Sequence, residues 1–418
     1  MKKKTYKIYT LGCKVNQYDS ADLARRFEAI GWRAVDKKAA IAIINTCAVT
    51  QTAIRKDRRM INKAKKENPQ AKVIIMGCWP QVYLSDVKKV GADMVFGVHS
   101  RDKIIKRISG QDSPLAATCQ IVPGFVSTSK TRYFLKIQDG CNQFCSYCII
   151  PYTRGRLRSR SQREIIKEAQ AAVKASFAEI VLSGIHLGLY GVDRYKSNRL
   201  VELIKEILKI ENLGRLRLSS IEVTEISSGL VKLMANNKRL CPHLHIPLQS
   251  GSNRILRLMN RPYRRVDFKK KINYLRRLIP KIAITTDVIV GFPGEKEKDF
   301  QETYDFIREI KFSRLHVFPF SSHPRTMAAK LPGQVPPEVI EARAKKLRDL
   351  GKQLAGQYKK KFINQELEVV VETRCRGRFQ GKSAYYFDVC FAAEDIAGKD
   401  KIKSSNLIGR LVKVEKWS

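Results

Sequence analysis

Short β-rich runs separated by stretches of helical period constrain the fold of this chain more than any other feature. In residues 1–110 the runs are YKIYTLGC, IAIINTC, KVIIMGC and ADMVFGV. Helical periodicity fills the spaces, as in SADLARRFEAIG, which opens on a capping serine and closes at Gly31. Strands that alternate with helices pair in parallel, so this segment predicts a doubly wound parallel sheet. Residues 132–361 repeat the alternation with six runs: RYFLKIQD, AEIVLSG, RLRLSSI, HLHIPLQ, IAITTDVIVG and RLHVFPF. Six β/α units predict a barrel or open part-barrel with functional loops at the carboxyl ends of its strands. Residues 111–131, rich in Pro, Ser, Thr and Gly, read as a linker. Residues 362–418 contain QELEVVVETR, YYFDVCF and GRLVKVEKW without helical period, which predicts a small β-barrel.

The cysteines then sort by position. Cys141, Cys145 and Cys148, in CNQFCSYC, follow the first strand of the second segment and so lie on a rim loop. A structural zinc site takes four ligands, commonly from two paired motifs, and no second C-x2-C pair accompanies this one. Three thiolates suit a four-iron cluster with one iron left open for a small molecule. Phe144 and Tyr147 would shield such a cluster and line the small molecule's pocket. Cys13, Cys47 and Cys78 are far apart in sequence, yet each ends a strand run. In a parallel sheet such ends share one edge, where ligands collect. A second cluster and ordinary core thiols both fit that pattern. Cys119, Cys241, Cys375 and Cys390 join neither set and read as structural thiols.

Lys and Arg number 80 against 39 Asp and Glu, a surplus of +41 that points to a polyphosphate partner. Arg154, Arg156, Arg158 and Arg160, in RGRLRSR, are candidates for RNA phosphate or a modified base. Arg374, Arg376 and Arg378, with Phe379, Tyr385 and Tyr386, offer a basic and aromatic face on the C-terminal barrel, although the tyrosines equally suit its core. His243 and His245 read as satisfied interior histidines rather than metal ligands. The start MKKKTYKIYTLGCK has no apolar leader, and no apolar run approaches the ~18 residues of a membrane span, so a cytoplasmic, membrane-free protein is expected.

The motif CNQFCSYC resembles the signature of radical S-adenosylmethionine enzymes. The order TLGCKVNQYDS, INTCAVT, MGCWPQ, CNQFCSYCIIPYTRGRLRSRS, IPLQSGSNRIL and DVIVGFPGE resembles the methylthiotransferases of that superfamily over essentially the whole chain. The resemblance implies two [4Fe-4S] clusters, one on Cys141, Cys145 and Cys148 and an auxiliary one on Cys13, Cys47 and Cys78. It implies S-adenosyl-L-methionine as radical source and methyl donor, with Tyr147, Gly184, Gln249 and Ser250 near it, although strand-end turns explain the last three equally well. It implies a C-terminal RNA-binding TRAM barrel, a tRNA substrate modified at adenosine 37, and an electron donor such as flavodoxin or ferredoxin. LGCKVNQYDS and NTCAVT are most similar to the branch acting on N6-threonylcarbamoyladenosine, and the Arg154–Arg160 run would supply a cation for its carboxylate. The branches acting on isopentenyladenosine or on a ribosomal protein are the alternatives, followed by a non-catalytic iron–sulfur RNA-binding protein. The stretch FSSHPRTMAA and Trp79 depart from the family pattern.

Overall fold

The computed structural model describes residues 4–110, 131–397 and 407–418. The linker expected at 111–131 lies outside the described residues except for Thr131, as does Cys119. Strands β1 (Thr5–Thr10), β2 (Arg33–Ala34), β3 (Ile41–Thr46), β4 (Lys72–Gly77) and β5 (Met94–Val95) form one parallel sheet in the order β2-β1-β3-β4-β5. IAIINT of β3 is buried along its whole length, as a strand covered on both faces must be. The order reverses between β1 and β3, and the carboxyl ends beside such a switch point open a crevice for ligands.

One helix starts earlier than its pattern suggests. The helix after β1 runs Lys14–Ala29 with Cys13 as its N-cap, so Ser20 is an interior residue and caps nothing. Ser20 instead accepts a hydrogen bond from the Thr10 hydroxyl at 2.7 Å. The periodicity was obscured because Asn16, Asp19, Asp22, Arg25 and Arg26 on this helix are buried polar residues.

The second unit contains β6 (Arg132–Lys136), the short antiparallel pair β7 (Gln138–Asp139) and β8 (Arg158–Ser159), then β9 (Glu179–Ser183), β10 (Arg215–Leu218), β11 (His243–His245), β12 (Ala283–Val290) and β13 (Arg314–Pro319). Parallel pairs join β6-β9-β10 and β11-β12-β13, and bridges Leu216–Leu240 and Ser220–His245 connect the two groups. The result is an open six-stranded part-barrel. Alternate residues such as Leu135, Leu182, Leu218, Ile246 and Val288 pack outward beneath the helices. The intervening set therefore faces inward, and it includes Glu179, Arg217, His243, His245, Asp287 and His316. Most barrel interiors are apolar; this one is lined with charge.

The C-terminal strands β14 (Leu367–Cys375), β15 (Arg378–Ser383), β16 (Asp388–Phe391) and β17 (Leu411–Val414) form an antiparallel sheet in the order β16-β15-β14-β17. YYFDVCF is extended only from Asp388, and Tyr386 occupies a turn with φ of 69°. The reason is docking. Arg217 donates to Ala384 O at 2.9 Å and Ser383 O at 3.0 Å, and Arg215 donates to Lys382 O at 2.7 Å. The Tyr386 ring stacks on His243 at 4.2 Å, and Tyr385 packs on Phe362 at 4.3 Å. Both tyrosines are thus committed to the fold, and they seal the strand-start end of the part-barrel. Among the described residues no helix is long and apolar enough to cross a membrane.

Candidate functional site

The loop carrying Cys141, Cys145 and Cys148 is fixed at both ends by pairing of β7 with β8, Gln138 opposite Ser159 and Asp139 opposite Arg158. Inside it, Cys141 N–H donates to Gly155 O at 3.1 Å, and Ser146 N–H and its hydroxyl donate to Met259 O and Leu258 O at 3.1 and 2.8 Å. The three thiols converge, each disfavouring ionisation of the next. Burial pushes Cys148 up to about 12, with Cys145 and Cys141 adding to the effect. Such thiols become thiolates only when a cation arrives, which is the behaviour of metal ligands and suits an iron–sulfur group.

Four side chains with no motif of their own surround this loop. His186 Nδ1 lies 3.2 Å from Cys141 Sγ, and its Nε2 meets Glu225. Burial pulls His186 down, but these two partners outweigh it and hold the ring at about 10. Arg261 Nη1 donates to Cys145 Sγ at 3.3 Å while its Nη2 meets Glu222. The only signal in sequence is position, since His186 and Glu222 fall just past the ends of β9 and β10.

The other candidates divide. Gly184 follows β9 and packs against Gln138; a Cβ there would lie 3.0 Å from Gln138 Oε1. Gln249 sits beyond β11 with φ of 63°, its N–H on Asp287 O at 2.8 Å. Ser250 is fully buried and its hydroxyl meets Thr303 at 3.2 Å, so it serves the packing of the helix Glu297–Ile310 rather than the rim. Tyr147 packs against the apolar group around Met259 and Phe292. Phe144 is exposed, covered by Arg156 at 4.9 Å.

Cys13, Cys47 and Cys78 meet beyond β1, β3 and β4. A Cβ on Gly12 would lie 2.9 Å from Cys47 Cβ, and one on Gly77 would lie 2.5 Å from Thr46 O. Both glycines hold positive φ, 95° and 106°, so LGC and MGC are the turns that bring the thiols together. Cys13 is the N-cap of the helix Lys14–Ala29. Burial pushes Cys78 up to about 11, and Cys13 adds to the shift. Asp57, fully buried, accepts from Cys47 N–H at 3.1 Å, and burial pushes its carboxyl up to about 8. This donor set also suits an iron–sulfur group.

The arginine run does not stay on the surface. Arg154 is 3% exposed. Its Nη1 donates to both oxygens of Asp139 at 3.0 Å and to Asp19 at 3.2 Å, its Nη2 donates to Asn16, and it faces the thiols of Cys78 and Cys13. Arg160 pairs with Glu168 at 2.7 Å and donates to Tyr18 at 3.0 Å. The expectation of four RNA-facing arginines therefore fails for these two, because the helix Lys14–Ala29 docks on β6 and needs cations for its aspartates. Arg156 and Arg158 remain exposed, Arg158 against His99. Arg374, Arg376 and Arg378 stand exposed at the tip joining β14 to β15.

A cleft of about 690 Å³ opens beside Cys47, lined among others by Gly12, Arg55, Lys56, Phe318 and Phe320. Arg55 and Lys56 are exposed and follow from no motif. The cleft's far wall explains the FSSHPRTMAA stretch: His323, 1% exposed, joins Val49 O and Tyr83 Oη at 2.9 Å each. Trp79 is fully buried under Arg58.

Residues 135–307 match the radical SAM superfamily, and residues 5–97 match the uncharacterized protein family UPF0004. The fold is also that of a radical S-adenosylmethionine methyltransferase, TsrM from Kitasatospora setae (TM-score 0.57, 13% identity, covering 78% of this chain and 77% of that one). The class is thus a radical S-adenosylmethionine enzyme with an added N-terminal parallel sheet.

The relatives narrow it. The threonylcarbamoyladenosine tRNA methylthiotransferase MtaB of Bacillus subtilis is 40% identical, over 94% of this chain and 92% of its own length. Its namesake from Thermotoga maritima is 38% identical, over 92% and 90%. A tRNA-2-methylthio-N(6)-dimethylallyladenosine synthase from Acetivibrio thermocellus is 33% identical, over 99% and 88%. The chain belongs to the radical S-adenosylmethionine tRNA methylthiotransferase family, which brings S-adenosylmethionine and two four-iron clusters as cofactors.

Proposed function

We propose that this protein methylthiolates C2 of N6-threonylcarbamoyladenosine at position 37 of tRNA. The observation that carries the reading is a pair of three-cysteine sets, each gathered by its own loops, with Arg154 reaching from the segment after the first set to the thiols of the second. The base follows from relatives: those named for threonylcarbamoyladenosine reach 40% and 38% identity, against 33% for those named for dimethylallyladenosine.

When bound, S-adenosylmethionine and the clusters supply the radical, the sulfur and the methyl group that no ordinary acid–base pair could provide at an aromatic C–H bond. The chain's own work is holding and shielding. Cys141, Cys145 and Cys148 would hold one cluster, and Cys13, Cys47 and Cys78 the other. Arg261 and Arg154 each place a buried cation beside one set, which favours thiolate sulfur. His186 is held on Cys141 by Glu225. The cleft beside Cys47 would admit the base at position 37, with Arg55 and Lys56 available to the neighbouring phosphates. Arg156 and Arg158 would grip phosphate, and the Arg374–Arg378 tip would reach the tRNA body. Gly184 and Gln249, at strand ends, would lie toward S-adenosylmethionine. A flavodoxin or ferredoxin would donate the electron, and the reaction would run in the cytoplasm with its tRNA.

The test is nucleoside mass spectrometry after reaction of the reconstituted enzyme with fully modified tRNA and with tRNA from cells lacking the threonylcarbamoyl group. Methylthio product should form only on the first. Product on both, or only on dimethylallyladenosine tRNA, refutes the assignment.

A further inference from the structure

The sealed end of the part-barrel gathers more cations than Glu179 alone can pair, and Arg132 also meets Glu372 at 2.8 Å. Glu179 there already faces Arg215 at 2.6 Å and Arg217 at 2.8 Å, with Arg132 at 3.6 Å. Arg132 Nε and Nη1 are buried without a hydrogen-bond partner. So is Nδ1 of His243, a residue 1% exposed. The Tyr386 ring forms the floor, with Arg217 and Lys382 each 5.3 Å from its centroid. A third cation, Lys14, enters from the N-terminal unit and lies 5.7 Å from the same centroid. Lys382 has Asp388 and Arg217 has Glu179. Among the described residues, no carboxylate lies within ion-pair reach of Lys14. The carboxylate that acts on Lys14 from a distance, Glu179, is already divided among Arg132, Arg215 and Arg217, so this partly dry space still favours an added anion.

We propose that Lys14 is the specificity-determining residue that receives the carboxylate of the threonylcarbamoyl group; this rests on the substrate proposed above. Lys14 directly follows Cys13. On adenine, C2 and C6 flank N1, and C6 carries N6, so both lie along one edge of the ring. A base presenting C2 to the Cys13 set therefore directs its N6 substituent toward the neighbouring residue. A threonylcarbamoyl group ends in a carboxylate, which completes the ion pair Lys14 lacks. An isopentenyl group is apolar and leaves the ammonium buried and unpaired, which rejects it. Arg154 and Arg160 cannot take this part, since aspartates and Glu168 already occupy them.

The experiment uses the full-length holoenzyme and two anticodon stem-loops. One carries N6-threonylcarbamoyladenosine; the other carries the same group with its carboxylate converted to a primary amide. Wild-type enzyme should favour the carboxylate about 10- to 100-fold in kcat/KM, mostly through KM, and in stem-loop binding by fluorescence anisotropy. Lys14→Gln should reduce the preference to about threefold or less, and Lys14→Arg should restore most of it. Wild-type enzyme indifferent to the amide overturns the inference without any variant. A Lys14→Gln enzyme that keeps the preference overturns it, as does one that loses both stem-loops equally, which would mark Lys14 as a phosphate contact. In all three cases turnover of the carboxylate stem-loop by wild-type enzyme leaves the proposed function standing. Wild-type turnover of a dimethylallyladenosine stem-loop alone overturns both.

Discussion

Replacing Arg154 with Met tests whether the docked helix Lys14–Ala29 depends on one buried cation. The change leaves Asp139 facing Lys136 at 3.1 Å, and Asp19 facing Lys136 at 2.5 Å and Arg101 at 2.8 Å. Removing one member of a buried ion pair costs about 3–5 kcal/mol, and the two remaining cations put this case near ~3 kcal/mol. That is a change of about 100-fold in the equilibrium between docked and undocked N-terminal units. Amide hydrogen exchange reads it directly. Protection of the helix Lys14–Ala29 and of β6 should fall about 100-fold, while the helix Pro337–Lys360, remote from the network, keeps its protection. Arg158→Met is the control: Arg158 is exposed, and its loss should change stability by less than about 0.5 kcal/mol. Unchanged protection in Arg154→Met would refute the argument that this arginine holds the interface.

Further predictions concern clusters, acid, backbone and RNA. Changing Cys141, Cys145 and Cys148 to Ala should remove about half the iron and stop 5′-deoxyadenosine formation; the same change at Cys13, Cys47 and Cys78 should also remove about half the iron but abolish only sulfur insertion. Burial alone would raise Asp22, but Arg101, Arg26 and Arg25 outweigh it and hold the carboxyl at about 2. A depressed carboxylate contributes stability above its unfolded value of about 3.9, here about 2.5 kcal/mol, and that is lost as pH falls from about 4 through 2; urea unfolding of Asp22→Asn should show a flatter acid limb. Gly77→Ala must hold φ of 106° with its Cβ on Thr46 O, so it should lower the melting temperature and the iron content together, at a cost of about 1–3 kcal/mol. Substituting Arg374, Arg376 and Arg378 by Ala should flatten the salt dependence of tRNA affinity, with a slope change of up to about 3.

By itself the sequence determined the layout. Apolar runs of strand length between helical periods leave a parallel sheet few alternatives, so β1, β3, β4 and the six strands of the part-barrel were legible in place, although runs such as HLHIPLQ extend past the strand itself, here only His243–His245. That each cysteine set gathers in one place was legible too, because a loop triad is local and strand-end cysteines share an edge in any parallel sheet. What escaped was set by contacts between distant parts of the chain. Ser20 reads as a cap until Cys13 takes that place. Tyr385 and Tyr386 read as strand until they dock on Phe362 and His243. Arg154 and Arg160 read as surface cations because a sequence shows charge but not burial; only the approach of Asp19, Asp139 and Glu168 draws them inside. Lys14 is the converse: the sequence shows it only as the residue after Cys13, and the tertiary structure brings it over Tyr386 where Glu179 is already shared by three arginines.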